Sequence, residues 1–370
     1  MEKINICFTS PSKNAYSETF IQNLKRIIDG KVFHCFGGFF PIESEDGKLK
    51  NHYSAPLIVK AFSKLGWIKR PIREIYLESY LKRNKIHAII ANYGQSGAEL
   101  SNLSKKLNIP LIVHFHGYDA SVKDVIERYR DKYLRMFEIA KAIVVVSSEM
   151  KDTIIRLGTD EKKVFLIRYA PAEAFMDIIA NYQSDQMIAI GRFVEKKAPY
   201  LTLLAFKQAQ EKCPELKLKL IGEGDLQQVC KDLSLALKIK NIDFAGIQKP
   251  EDIVTEMSQS FCFIQHSKTA VSGDKEGTPV AVLEAMSAGL PVISTYHAGI
   301  PDVIQDNENG LLVQEGDVDG MAQAIVKLYQ DRKLAEQFGI NNKEYIKANL
   351  LESQYKLAWN SLIQEVVHGK

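Results

Sequence analysis

Two glutamates, Glu276 and Glu284, bracket the first half of the segment EGTPVAVLEAMSAGLPV (276–292), in which nearly every other side chain is apolar or small. Thr278 suits a helix N-cap, Pro279 the first helical position and Gly289 a left-handed stop, while Pro291 prevents continuation, so the pattern predicts a helix over 279–288. The unpaired N–H groups of its first turn, with Gly277 letting the backbone approach closely, make an anion site. Glu284 falls inside an otherwise apolar helix, where an ionised carboxylate is costly unless paired. A ribose diol would supply the donors it needs, and a salt bridge to a lysine would do so equally.

A predicted strand over 187–190 runs into Gly191 and Arg192, with Lys197 five residues on. Two cations at the carboxyl end of a strand suit the two negative charges of a diphosphate. The plain alternative is surface charge. A second strand, 111–115, ends in His116-Gly117-Tyr118-Asp119. This His and Asp could meet sugar hydroxyls or help a proton move. Taken alone, the segment is read more simply, with Asp119 organising a turn before a helix capped by Ser121 and Asp124. Other matches carry less. Gly222-Glu223-Gly224 has only two glycines of a dinucleotide fingerprint, which argues against an NAD site. Asp317 and Asp319 follow Gly316 just before a helical stretch, so capping is preferred to a metal pair. His34, His52, His87 and His368 lack ligand spacing.

Short β-branched runs recur at 4–8, 88–91, 111–115, 142–146, 164–167, 187–190, 216–221, 261–264 and 292–294, with amphipathic helix-length stretches between them. That alternation predicts parallel sheets covered by helices, with ligands at the carboxyl ends of strands. The first series ends near 168–171 and a new one opens at 187. The expected organisation is therefore α/β, with two Rossmann-like doubly wound domains facing across a cleft. Residues 1–175 would form the first domain and 176–352 the second. Residues 353–370 would form a C-terminal helix able to pack back on the first.

The 370 residues are enough for two full cores, and 46% hydrophobic with 25% charged residues matches an ordinary globular chain rather than a disordered, collagenous or coiled-coil one. No apolar run reaches spanning length and the opening lacks signal-peptide character, so a cytoplasmic location is expected. Five cysteines without C-x-x-C spacing (Cys7, Cys35, Cys213, Cys230, Cys262) suggest neither disulfides nor zinc. The net charge of +3 conceals 28 basic against 20 acidic residues up to position 180, and 20 against 25 beyond it. Much of the excess lies in 57–86, a basic stretch interleaved with Trp67 and aliphatic residues. It reads as a solvated helix pair broken at Pro71, or as a face for an anionic membrane. Nothing accompanies it that would indicate nucleic acid.

In order and spacing, Gly191-Arg192 with Lys197, Gly222-Glu223-Gly224, Phe244-Ala245-Gly246, Ser267, Glu276-Gly277-Thr278-Pro279, Glu284-Ala285-Met286 and Gly289-Leu290-Pro291-Val292 resemble the second domain of retaining glycosyltransferases of family 4. The glutamates stand in that family's E-x7-E arrangement. His297-Ala298-Gly299-Ile300-Pro301-Asp302, Asn309-Gly310-Leu311-Leu312-Val313, Ser17-Glu18-Thr19-Phe20-Ile21 and His114-Phe115-His116-Gly117-Tyr118-Asp119 add to the likeness, which points to the colanic-acid and amylovoran exopolysaccharide subgroup.

The resemblance implies the two-Rossmann GT-B fold and transfer of a hexose from a nucleotide sugar, UDP-linked in preference to GDP-linked. The acceptor would be a glycan or lipid-linked saccharide of a surface polysaccharide or glycolipid. It implies that Arg192 and Lys197 neutralise the leaving diphosphate, Glu284 holds the ribose and Glu276 contacts the donor sugar. Gly277, Thr278 and Pro279 would border the phosphates, and Ile247 with the Gly222–Gly224 turn would lie near the base. His116 and Asp119 would reach the sugar from the first domain. No tightly bound cofactor and no metal are expected, because the cations and helix N-terminus do a metal's work. A lipid-linked acceptor would favour contact of 57–86 with the inner face of the cytoplasmic membrane. Two departures stand out: Tyr16-Ser17-Glu18-Thr19-Phe20 replaces a Gly-Gly loop, and Ala198 replaces a glycine after the lysine. The competing readings are a sugar-nucleotide epimerase or hydrolase of similar fold, and a non-catalytic nucleotide-sugar-binding partner.

Overall fold

The computed structural model describes residues 4–13, 18–47, 49 and 71–369. The first unit contains β1 (Asn5–Thr9), α1 (Thr19–Ile27), β2 (Lys31–Phe36), β3 (Glu43–Ser44), α2 (Ile72–Arg83), β4 (Ala88–Asn92), α3 (Gly94–Leu107), β5 (Leu111–His114), α4 (Tyr118–Ser121), α5 (Lys123–Ile139), β6 (Ala142–Val145), α6 (Ser148–Arg156) and β7 (Val164–Leu166). Its sheet runs β3-β2-β1-β4-β5-β6-β7, parallel except for the β2–β3 pair.

The second unit contains β8 (Gln186–Ile190), α7 (Pro199–Lys212), β9 (Lys217–Ile221), α8 (Gln227–Ala236), β10 (Ile242–Gly246), α9 (Pro250–Ser258), β11 (Cys262–Ile264), α10 (Val280–Ser287), β12 (Val292–Thr295), β13 (Gly310–Val313), α11 (Val318–Gln330) and α12 (Arg332–Asn349); α13 (Glu352–His368) closes the chain. Its six strands run β10-β9-β8-β11-β12-β13, all parallel. The first unit groups residues up to 146, Met150–Ile167 and those from Lys356 onward; the second groups Ser147–Glu149 and Arg168–Tyr355.

The central strands are buried on both faces because helices cover a parallel sheet from both sides, and their sequences are therefore nearly continuous apolar runs, whereas β9, Lys-Leu-Lys-Leu-Ile, alternates. β4, β5 and β6 have every residue buried, as do β11 and β12. Four strands lie outside the runs legible in sequence. Of these, β2 carries His34 inside its hydrophobic pattern, β3 has only two residues and β10 is a half-exposed edge. The fourth, β13, is a four-residue strand. The second core gathers Phe193, Leu203, Phe206, Leu218, Phe261 and Ile325, all nearly inaccessible. Part of the basic stretch 57–86 lies outside the described residues. The remainder begins at Pro71, the N-cap of α2, which buries Ile72, Leu77, Tyr80 and Leu81. Among the described residues no helix is long and apolar enough to cross a membrane.

Each sheet reverses its strand order once, between β1 and β4 in the first and between β8 and β11 in the second. In doubly wound sheets the crevice at such a reversal, beyond the carboxyl ends of the strands, is where ligands bind. The candidate residues must be judged against these two places.

Candidate functional site

Beyond β8 and β11 a small pocket is lined by Gly191, Arg192, Phe193, Lys197, Thr202 and Gln265, among others. Gly191 follows the last residue of β8 directly, and its N–H donates to Ile221 O of β9 at 2.9 Å. A tight turn at 195–197 then swings the chain so that Lys197 points back over the strand end. The Lys197 Nζ lies 3.0 Å from Gln265 Oε1 and 3.3 Å from Glu276 Oε1. Arg192 is exposed, and among the described residues no hydrogen bond or ion pair holds its guanidinium. One cation is thus locked in place and the other left free at the same pocket.

Burial pushes the Glu276 carboxyl up, but the attraction of Lys197, then of Lys196, overrides it and holds the group down at about 2. Lys197 is shifted downward by burial, with Glu276 opposing. Each charge therefore depends on the other to be ionised at this depth. Lys196 is spent elsewhere, donating to Asp274 Oδ1 and Lys275 O at 3.1 Å each. It fixes the loop that carries Glu276.

The helix after Glu276 begins one residue later than its sequence suggests. Pro279 takes an extended ψ of 119° and is itself the N-cap, with helix over Val280–Ser287 and no side-chain cap. Thr278 accordingly does not cap it, although Gly289 is left-handed at φ +78° as the stop requires. The first-turn N–H groups of Val280 and Ala281 are left without an intrahelical partner. Glu284 lies one turn on, on the same part-exposed face as those two residues. Burial alone raises its carboxyl to about 7, and among the described residues nothing pairs with it. Among the described residues, the lysine salt bridge that would have explained this glutamate structurally does not form.

Gly222 and Gly224 prove to be required by packing. A Cβ on Gly222 would lie 2.2 Å from Gly191 O, and one on Gly224 would lie 2.6 Å from Phe193 O. The turn after β9 is laced to the turn after β8 through Phe193 N donating to Glu223 O at 3.0 Å, and to β10 through Gly222 N donating to Gly246 O at 2.8 Å. Ile247, half exposed, follows directly. Ala198 sits left-handed at φ +37°, where a glycine would be relaxed. The strain of about 1–2 kcal/mol is offset by about 0.8 kcal/mol from its buried methyl and by the lower unfolded-state entropy of alanine, so the replacement is nearly neutral.

At the reversal of the first sheet, Asn92 ends β4 and its Nδ2 donates to Thr9 O across the β1–β4 seam at 2.9 Å. That leaves Asn92 Oδ1 facing His116 Nε2 at 3.1 Å, so Nε2 carries the proton and donates. The imidazole is stacked among Phe20, Tyr93 and His114, with centroids 4.7, 4.7 and 4.0 Å away. Burial, then the neighbouring His114, pushes His116 well below its ordinary value, so it is neutral. Asp119 fits the simpler of its two readings. Its fully buried carboxylate accepts the N–H groups of Gly94, His116 and Gly117 at 2.9, 3.0 and 3.0 Å, so it organises the turn and has no surface to offer a sugar. Burial raises it to about 6 despite these donors. Ser121 likewise is no cap; its Oγ donates to Gly117 O, and Val122 precedes α5.

Several site-lining residues had no role assigned from sequence: Gln265, His297, Glu315, Asn92 and Tyr93. Each stands at or within two residues of a strand's carboxyl end, the one signal that could have marked them. Tyr93 also holds a non-glycine φ of +74°, with its hydroxyl donating to Glu18 Oε1 at 2.7 Å. No sequence pattern announces a strained tyrosine. Asp317 does cap α11, accepting from Gly320 N at 2.8 Å. Among the described residues no cluster suited to a metal ion occurs.

Two doubly wound units, each with polar residues gathered at its sheet reversal, define the GT-B class of fold. Residues 32–169 match the family described as Glycosyltransferase Family 4, and residues 173–345 match Glycosyl transferases group 1. The chain belongs to the glycosyltransferases built from these two domains. It is 28% identical over 248 residues to the amylovoran biosynthesis glycosyltransferase AmsK of Erwinia amylovora, an alignment covering 65% of this chain and 61% of that protein. It is 25% identical over 252 residues to a protein of Escherichia coli K12 named as a colanic acid biosynthesis glycosyltransferase, WcaL, with the same coverage of 65% and 61%. The aligned stretch thus spans about 61% of the length of these curated relatives. Among solved structures, HepE of Anabaena in complex with UDP superposes with a TM-score of 0.78 at 14% identity, covering 99% of this chain and 100% of that one.

Proposed function

We propose that this chain is a retaining hexosyltransferase that moves a hexose from a nucleotide sugar, UDP-hexose in preference to GDP-hexose, to a lipid-linked saccharide of a growing bacterial surface polysaccharide or glycolipid. The observation that carries the reading is the pocket at the β8–β11 reversal, where the Arg192 guanidinium, without a partner among the described residues, adjoins a Lys197 already ion-paired to Glu276. The names of the relatives, amylovoran and colanic acid biosynthesis glycosyltransferases, and the UDP-glucose held by HepE in a second structure support the substrate class.

In this reading the diphosphate lies against Arg192, Lys197 and the open N–H groups of α10. Glu284 accepts the ribose hydroxyls, which supply the donors its buried carboxylate lacks. Ile247 borders the base. Glu276 meets the donor sugar from its loop. His116 offers a neutral imidazole from the first domain, and Asp119 holds the loop on which it rides. The bond from anomeric carbon to phosphate oxygen breaks with its electron pair going to the diphosphate. The acceptor hydroxyl attacks the same face of the oxocarbenium-like carbon, and its proton passes to the departing phosphate oxygen. Charge developing on that oxygen is met by Arg192 and Lys197, so the step needs no metal and turnover should survive a chelator.

The test is calorimetric binding of UDP, GDP and ADP, followed by release of nucleotide from the matching sugar donors with and without a lipid-linked glycan extract. Arg192→Ala or Lys197→Ala should lower turnover by roughly 10²-fold or more. Acceptor-independent consumption of the donor would favour an epimerase or hydrolase, and binding without turnover a non-catalytic partner. Membrane contact through 57–86 belongs to the same proposal. Co-sedimentation with anionic liposomes should fall when Lys69, Arg70 and Arg73 are neutralised.

A further inference from the structure

The backbone of Glu276 is held from a loop of its own domain that the chemistry above does not use. The Glu276 N–H donates to His297 Nε2 at 3.1 Å, and Gly299 N donates to Gly277 O at 3.1 Å. The 297–299 loop thus grips 276–277 by two hydrogen bonds running in opposite directions. The fit is close: a Cβ on Gly299 would come within 2.3 Å of Gly277 O. Ala298 between them is left-handed at φ +46°, a strain that persists only where the surroundings demand that turn.

The imidazole is in turn held from behind. His297 Nδ1 lies 2.6 Å from Glu315 Oε1, while Glu315 Oε2 accepts from Thr269 N at 2.8 Å. Because Nε2 must present a lone pair to the Glu276 N–H, the proton sits on Nδ1 and is donated to Glu315, which fixes one tautomer and one ring orientation. His297 is 1% exposed, so no water stands ready to replace it. Burial pushes Glu315 up, but Thr269 N–H and the His297 bond outweigh this and keep it below the ordinary carboxylate range. The three anchoring segments follow β11, β12 and β13, so the rigid sheet itself sets where Glu276 stands.

We infer that His297 and Glu315 are a positioning pair for the donor-sugar side of this site: the imidazole lone pair orients the backbone of Glu276, and hence its carboxylate, toward the transferring sugar. This rests on the proposed glycosyl transfer. The pair touches neither Arg192 nor Glu284, so it should govern turnover and not nucleotide affinity. A misplacement of about 1 Å at a reacting centre costs on the order of 10²-fold in rate.

The experiment compares the full-length chain with His297→Leu, His297→Gln and Glu315→Gln. Three quantities are measured: UDP affinity by calorimetry, kcat and KM for the donor sugar, and amide hydrogen exchange across 275–279. The expected result for His297→Leu is a loss of about 10²-fold in kcat with UDP affinity within about 2-fold, together with faster exchange at Glu276. His297→Gln, whose Oε1 can accept the same N–H, should recover most of both the rate and the protection. Glu315→Gln should fall between them, because its amide still accepts from His297. Unchanged exchange at Glu276 in His297→Leu would overturn the inference whether or not the enzyme turns over. Parallel losses of UDP affinity and kcat in the Leu and Gln variants alike would also overturn it, as that pattern marks a merely structural residue. A wild-type chain that binds no nucleotide would sink the proposed function itself, and the exchange comparison would still decide the hydrogen bond.

Discussion

Glu284 is the residue whose environment most demands something further. Its folded carboxyl stands at about 7 against an ordinary 4.5, with burial as the cause. The folded state therefore holds the proton more tightly than the unfolded chain, and the ligand-free protein loses stability as pH rises from about 4.5 through about 7. Glu284→Gln removes that loss. The ligand-free variant should be more stable than the wild type by about 2 kcal/mol at pH 8, below the full linkage value because the side chain is part exposed, and equal to it near pH 4. Chemical denaturation at the two pH values checks this, and UDP affinity should fall in the same variant. A Glu284→Gln that is no more stable at pH 8 would mean that the carboxylate has a partner after all. Asp119 makes the opposite case. Its carboxylate satisfies three buried N–H groups, so Asp119→Ala should destabilise the first domain by about 3 kcal/mol, with UDP affinity unchanged. Asp119→Asn should cost less than Ala, since its remaining oxygen still serves His116 and Gly117. A variant of normal stability and no turnover would restore a direct catalytic role to Asp119.

At the scale of elements, the glycines after β8 and β9 decide whether the pocket proposed for the diphosphate can form. Gly222→Ala would drive a methyl into the Gly191 carbonyl, which is backbone and cannot give way, at φ +127°. We expect at least about 2–3 kcal/mol of destabilisation and a loss of UDP affinity of more than tenfold. Gly316→Ala is the control, since Gly316 is also left-handed, at φ +85°, but has nothing within 4 Å of its Cβ; it should cost about 1 kcal/mol and leave UDP binding intact. If the two variants behave alike, steric closure of the turns is not what matters. These elements also show which parts of the fold were legible in sequence. Strands buried on both faces appear as apolar runs, and the helix after Glu276 was marked by its proline and its glycine stop. β2 was hidden because a buried histidine interrupts its pattern, and β10 because an edge strand keeps charge in its register. Glu284 was nameable because a carboxylate stands out inside an apolar helix, and Glu276, Arg192 and Lys197 because charge stands out beside the glycines that end a strand or open a helix. Gln265, His297 and Glu315 were not, because their importance comes from strands distant in sequence that end side by side.

At the scale of the whole chain, the last helix ties sequence order to domain identity. Apart from Ser147–Glu149, the second unit runs from Arg168 to Tyr355, so most of α13 belongs with the first unit although it follows the second. The attachment is specific. Trp359 is fully buried with its ring 4.9 Å from that of His114, and Leu362 and Ile363 are buried beside it. Asn360 is bonded in both directions to the end of α1, donating to Ile27 O at 3.0 Å and accepting from Asp29 N at 2.8 Å. Lys356 pairs with Asp29 at 2.9 Å. Burial of one Trp and two aliphatic side chains contributes roughly 5 kcal/mol or more, comparable to the whole stability of an ordinary domain. Truncation after Tyr355 should therefore unfold the first domain or leave it prone to aggregation, while residues 168–355 retain their sheet and their UDP affinity. Differential scanning calorimetry with and without UDP reads this directly. A bound nucleotide at 100 times its Kd stabilises only the state that binds it, by about 2.7 kcal/mol, so the transition that UDP raises is the one belonging to the second domain. In the truncated chain that transition should persist and the UDP-insensitive one should be lost. If truncation instead abolished UDP binding while the first domain still melted cooperatively, the assignment of α13 to the first domain and of the nucleotide to the second would both fall.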